Sequence, residues 1–327
     1  MRTFVVSCLA LSICTASALL AGCGGSQPPI GPPGTMPQTP AAVIHADDRG
    51  SWMAPDAAVQ DLLYVAADEY VIVFTYPQGS LEGVLRHFYL ADDGCVDKRG
   101  DVFIANLGYG RVFEYAHGGA KRIADLDPGG AFGCSVDPTS GNLAVSGGGV
   151  AIYKHARGTP TKYTGSAFDL YFCGYNDKGD LFADGTSQPG SGHVVLVELP
   201  KGGNQFETIN MDDTLQWPGK VQWDGKHITV EDAGPSDYAI YQFSISGSSA
   251  TEIRRTPLDT TGEIHQTWIQ DSKVVVPTVC ESTCYGPEVW FYKYPAGGEP
   301  LSKKLTKGFP HHIGVSALGA TVSLAPK

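Results

Sequence analysis

Side chains able to serve as acids, bases or metal ligands gather in short segments between apolar runs. Carboxylates stand at Asp92, Asp93, Asp169, Asp184, Glu231 and Asp232, imidazoles at His265 and His311, and aromatic rings at Tyr109, Phe132 and Trp217. Carboxylates converging on one face attract cations, and their oxygens suit Ca²⁺. Imidazoles beside an acid such as Glu263 suit Zn²⁺. Rings next to carboxylates suit a sugar or a peptide, because one face is apolar while the rim is polar. The spacing is not that of a known metal loop. No Asp-x-Asp-x-Asp-Gly, His-x-x-x-His or Cys-x-x-Cys occurs. Gly108-Tyr109-Gly110 and Gly147-Gly148-Gly149 are turn glycines with no helix after them, so they do not read as phosphate loops. There is no Gly-x-Ser-x-Gly nucleophile elbow. No cofactor is therefore expected, with Ca²⁺ or Zn²⁺ kept as the alternative.

Cysteines supply a second kind of chemistry. Cys280 and Cys284 share one long segment, and their spacing predicts a disulfide clamping it. Cys95, Cys134 and Cys173 recur at intervals of 39 residues. They either bond in a neighbouring pair such as Cys95–Cys134 or serve as small buried apolar residues.

That recurrence points to the elements holding all these groups. Gly94-Cys95-Val96-Asp97-Lys98-Arg99-Gly100-Asp101-Val102-Phe103 matches Gly133-Cys134-Ser135-Val136-Asp137 with Gly141-Asn142-Leu143-Ala144, and Phe172-Cys173-Gly174-Tyr175-Asn176-Asp177-Lys178-Gly179-Asp180-Leu181. Each reads as a strand, an Asp-x-x-Gly-type turn and a second apolar strand. Weaker copies start near Val221, Thr267 and Ile313. A parallel marker ends apolar strands in a turn glycine at Gly79, Gly118, Gly158, Gly202, Gly247 and Gly297. The mean repeat is about 44 residues, the length of a four-stranded propeller blade. The expectation is an all-β, six-bladed β-propeller spanning residues 45–327. Its closing strand is expected at residues 313–318, supplying the inner strand that the first unit lacks. Loops between second and third strands and loops between blades then meet on one face. That face would carry the acids and rings named above.

Composition agrees. Of 327 residues, 42% are hydrophobic and only 17% charged, with 41 Gly and 22 Pro, which suits many short strands joined by tight turns. The net charge of −11 and the lack of a basic stripe argue against nucleic acid as a partner.

Residues 1–22 form a short positive and then apolar segment ending in Leu20-Ala21-Gly22-Cys23. This resembles the lipobox of bacterial lipoproteins, which implies cleavage before Cys23 and a lipid on that cysteine. Residues 23–44, rich in Pro and Gly, read as a tether. Gly24 follows the cysteine, so an outer-membrane or cell-surface address is expected over an inner-membrane one. The membrane is touched through the Cys23 lipid alone.

The Gly-x-x-Asp-x-x-Gly-Asp/Asn pattern followed by an apolar strand resembles NHL-type repeats and the wider six-bladed group of SMP-30/gluconolactonase-like and TolB-like propellers. The resemblance covers residues 61 to about 319. It implies the fold, while the activities in that group range from lactonases to pure binding modules. Those lactonases hold a divalent ion in an axial carboxylate and amide cluster that has no residue-by-residue match here. The expected function is a binding or scaffold module for a protein or glycan partner in the cell envelope. The alternative is a metal-dependent hydrolase or lactonase of the SMP-30-like kind. A quinone-cofactor dehydrogenase is weaker still, lacking the tryptophan repeat.

Overall fold

The computed structural model describes residues 50–163, 169–187, 193–212, 215–234, 238–260, 262–279, 288–301, 304–305, 309 and 316–326. The leader, Cys23, the tether, Cys280, Cys284 and His311 lie outside these residues. The described chain is all-β. Its only helices are single 3-10 turns such as Leu107–Tyr109. None is long and apolar enough to cross a membrane.

The repeated turns form as their residue types require. Asp97 Oδ1 accepts from the N–H groups of Arg99 (2.8 Å) and Asp101 (3.0 Å). Asn176 Oδ1 does the same for Lys178 and Asp180, both at 2.9 Å, and Asp224 Oδ1 for Lys226 (2.8 Å) and His227 (2.7 Å). A short polar side chain thus replaces the missing main-chain acceptor in each turn. The six marker glycines all have positive φ, between 56° and 77°. An L side chain resists that conformation, which explains why glycine recurs there.

Two strand runs are longer than one sheet position. Extended, the segment from Asp61 to Tyr76 would span about 50 Å. Yet Tyr76 N–H donates to the Asp61 carbonyl at 2.7 Å. The run Leu62–Thr75 therefore folds back on itself, with Asp68 at φ 55° in the bend. The run Leu81–Val96 likewise serves two neighbours. Its first half pairs with Leu62–Thr75 and its second half with Val102–Asn106.

Antiparallel pairing between neighbours in sequence dominates. Gly133–Val136, Leu143–Ser146, Val150–Tyr153 and Thr161–Tyr163 make one four-stranded sheet. Asp169–Tyr175, Leu181–Thr186, Val194–Leu199 and Glu207–Met211 follow the same order, as do Val221–Trp223, Ile228–Asp232, Ala239–Ser246 and Ser249–Pro257. These last two sets touch at their outer edges through a short parallel pairing, Asn210 with Ser249. Burial is complete in the second strands and least in the outermost ones. Val102–Asn106, Leu143–Ser146, Leu181–Thr186 and Ile228–Asp232 are buried at every position, whereas Thr161–Tyr163 and Glu207–Met211 are mostly open. Strands covered on both faces lose the alternation of a half-buried strand.

The core lies between sheets. Cys95, Phe103 and Val112 of one sheet pack on Cys134, Val145 and Tyr153 of the next. The last segment returns to the first. Gly319–Ser323 pairs antiparallel with residues 62–66, and Ala320 and Val322 enter a cluster with Leu63, Val65, Val275 and Phe291. This corrects the expected closing strand at 313–318. Residues 316–318 belong to no strand, 313–315 lie outside the described residues, and the pairing begins at Gly319. Three contacts select that register. A Cβ on Gly319 would meet the Asp92 carbonyl at 1.9 Å, Ser323 donates to the Gly100 carbonyl, and His117 lies 2.7 Å from Ser323 Oγ and 2.9 Å from the Gln60 carbonyl.

Candidate functional site

The acids singled out in the sequence divide by placement. Glu231 and Asp232 close the second strand Ile228–Asp232 and Asp184 lies two residues before the end of Leu181–Thr186, all buried, with 0%, 1% and 0% exposure. They turn inward and hold the main chain of incoming connections. Asp184 accepts from Phe172 N–H (3.2 Å) and Gly219 N–H (2.9 Å). Asp232 accepts from the N–H groups of Gln216, Trp217 and Gly234, each at 3.0 Å. Glu231 Oε2 accepts from Thr267 N–H (3.0 Å) and Thr267 Oγ1 (2.6 Å). Asn106 plays the equivalent part for Tyr89 N–H at 3.0 Å, and Ser146 donates to the Tyr171 carbonyl at 2.6 Å. A polar residue at or near the end of Val102–Asn106, Leu143–Ser146, Leu181–Thr186 and Ile228–Asp232 is thus a loop anchor. Its recurrence at one place in the repeat was the available sign, and sequence reasoning that sought ligands passed over it.

Asp92 and Asp93 are also interior. Asp93 meets the buried Lys220 ammonium, with Nζ 2.5 and 2.6 Å from its two oxygens, and accepts from Cys134 N–H at 3.2 Å. Lys220 was not among the sequence candidates. A lone lysine before an inner strand carries no signal of what lies across from it. Burial pushes the carboxyls of Asp92 and Glu231 up to about 8; the Asp93 charge adds to the rise at Asp92 against Lys220, while at Glu231 the Thr267 hydrogen bonds and Lys220 oppose it. Burial also raises Asp93, against the Lys220 charge, and holds Asp184 well above its ordinary range.

The rings divide as well. Tyr109 and Trp217 are 56% and 59% exposed. Tyr109 lies against Tyr89, itself 52% exposed, with ring centroids 5.7 Å apart. Gly108 makes room for this pair, since a Cβ there would meet the Tyr89 ring at 2.3 Å. His87 and Leu90 flank Tyr89 with φ of 71° and 56°, left-handed values uncommon outside glycine. Phe132 packs edge-on against Tyr171 at 5.3 Å, half-buried, and Tyr171 donates its hydroxyl to Asp169 at 2.9 Å. His265 is half-exposed, its Nε2 3.6 Å from Glu263, and burial lowers its pKa.

Among the described residues, no three His, Cys, Asp or Glu side chains converge as a metal ion would require. A cavity of about 150 Å³ opens beside the same loops, lined by Gly129, Gly130, Gly147, Gly149, Val150 and Lys162. Cys95 and Cys134 form a disulfide across neighbouring inner strands, Cα atoms 5.7 Å apart, resolving one of the two readings of the repeated cysteines. Cys173 is a buried thiol pushed up to about 12 by desolvation, so it keeps the other reading.

No family model and no curated protein matches the chain. Solved structures do match. Over 82% of its length the chain is similar to a chain of the crystal structure of a nidogen/laminin complex, covering 100% of that chain with a TM-score of 0.60 at 12% identity. It is also similar to hydrazine synthase of Kuenenia stuttgartiensis, covering 75% of this chain and 76% of that one, with a TM-score of 0.53 at 12% identity. Likeness at this identity speaks to the fold alone, and with the curled antiparallel sheets it makes the chain a β-propeller-like protein.

Proposed function

We propose that this chain is an exported six-bladed β-propeller, lipid-anchored at Cys23, that acts as a binding module for a protein partner at the bacterial cell envelope. The observation that carries the binding reading is the Tyr89–Tyr109 pair with Trp217. Tyr89 in the run Leu81–Val96 and Tyr109 and Trp217 on connections between strands all stand open to solvent, while Asp184, Glu231 and Asp232 turn inward. Tyrosine and tryptophan offer large contact area at small conformational cost, which is why they dominate binding hot spots. Two left-handed residues flanking Tyr89 support the same reading, since such backbone recurs where a side chain must be displayed. The count of six blades is supported by the six marker glycines that recur once per repeat, each of positive φ, and by the repeated order of four antiparallel strands. The Leu20-Ala21-Gly22-Cys23 motif and the proline-rich stretch after it support the anchor.

The test compares envelope proteins co-purifying with the wild type and with a Tyr109→Ser/Trp217→Ser variant, alongside a glycan array. One protein captured by the wild type and lost from a variant of unchanged melting temperature is expected. Equal capture by both would move the binding surface elsewhere, and array binding without protein capture would make the partner a glycan.

A further inference from the structure

At the inner ends of the sheets, two side chains far apart in sequence meet in the dry interior. Lys220 lies just before Val221–Trp223, and Asp93 lies in the second half of Leu81–Val96, 127 positions away. Their side chains are 4% and 1% exposed. Lys220 Nζ sits 2.5 and 2.6 Å from the two Asp93 oxygens and 3.1 Å from the Gly94 carbonyl. The indole of Trp268 lies 5.5 Å from the same nitrogen. Glu231, fully buried, interacts electrostatically with both partners. Thr267 occupies its Oε2, but its Oε1 has no hydrogen-bond partner. An ion pair in such surroundings bears the desolvation of two charges. An amide in the same place bears neither.

We propose that Lys220 and Asp93 join in an intramolecular isopeptide bond, with Glu231 relaying the proton. The ammonium first yields its proton to the Asp93 carboxylate, leaving a neutral amine and a neutral acid. Nζ attacks Cγ and the N–C bond forms. Glu231 Oε1 gives its proton to the departing hydroxyl and takes one from the nitrogen, the C–O bond breaks, and one water leaves. An ammonium and a carboxylate become a secondary amide and water, so the balance needs no oxidant, reductant or further reactant. Fixed proximity in a water-poor site stands in for chemical activation of the acid. Burial that holds the Glu231 carboxyl near 8 keeps its proton available at neutral pH. The bond would tie two inner strands of different sheets covalently, beside the Cys95–Cys134 disulfide.

Peptide mapping of the purified wild-type chain, reduced, alkylated and cut with trypsin, tests this directly. The expected product is one branched peptide in which residues 87–98 are attached to residues 202–226, uncut at Lys220, with a mass equal to the sum less one water. Separate peptides 87–98 and 202–220 at full mass would overturn the proposal, because trypsin cuts only after a free lysine. Glu231→Gln, which keeps the size of the side chain but not its proton, is expected to give the separate peptides from a chain that still melts cooperatively. A Glu231→Gln chain as fully branched as the wild type would overturn the relay assigned to Glu231. The wild-type map decides the bond even if that variant fails to fold.

Discussion

Asp92 and Glu231 are acids kept from water, and that makes stability depend on pH in a definite direction. In the unfolded chain each loses its proton near pH 4. In the fold each holds it to about 8. Below about pH 4 both states are protonated and the groups contribute nothing. Between about 4 and about 8 the fold binds the proton that the unfolded chain has released. Stability therefore falls as pH rises, by up to about 1.4 kcal/mol per pH unit for each such group. Above about 8 the loss levels off. Asp92→Asn is expected to flatten the decline in melting temperature across that window. An unchanged slope would mean that Asp92 is solvated. The sequence displayed Asp92, Asp184, Glu231 and Asp232 as acids next to turns, and that much was legible. Which way each turned was not: Asp184 and Glu231, for instance, are held by main-chain donors 12 to 36 residues away. Tyr109 and Trp217, by contrast, are exposed in the connections where the repeat placed them.

Among the elements, the turns were the most legible, since their geometry is set by residues adjacent in sequence. The marker glycines are nevertheless not equivalent. Gly202 and Gly118 have similar φ, 77° and 65°, but a Cβ on Gly202 meets nothing within 4 Å, while one on Gly118 would meet the backbone of Ala58 at 2.6 Å. Gly202→Ala is expected to cost only the conformational strain, about 1 kcal/mol. Gly118→Ala must also move the Ala57–Val59 turn and is expected to cost several times as much. Chemical denaturation of the two variants measures the difference, and equal losses would show that the Ala57–Val59 turn yields freely. Local sequence fixes the φ sign at both sites, but the neighbour that makes one of them crowded comes from residues 57 and 58, far away in the chain. Strand edges were legible for the same local reason. Val102–Asn106 begins at Val102, where the repeat sets an apolar run directly after its Gly100-Asp101 turn.

For the whole molecule, the deciding contact is the pairing of Gly319–Ser323 with residues 62–66. Removing residues 319–327 would strip Ala320 and Val322 from the cluster holding Leu63 and Val65 and leave a buried strand with an open edge. Open apolar edges recruit other chains. The truncated protein is expected to elute as aggregates and to melt at a lower temperature. A monomer with an unchanged melt would mean that the pairing is dispensable. The sequence by itself determined the all-β class, the repeat of four short strands and the turn chemistry, because each depends on residues within one unit of the chain. It also restricted Cys95, Cys134 and Cys173 to two readings. Only the tertiary structure decided that Cys95 bonds Cys134 while Cys173 stays a thiol, that the closing strand starts at Gly319, and that Lys220 lies against Asp93. Those outcomes turn on approaches of a few ångströms between residues 39 to 261 positions apart, where register and burial, absent from local residue patterns, select one partner.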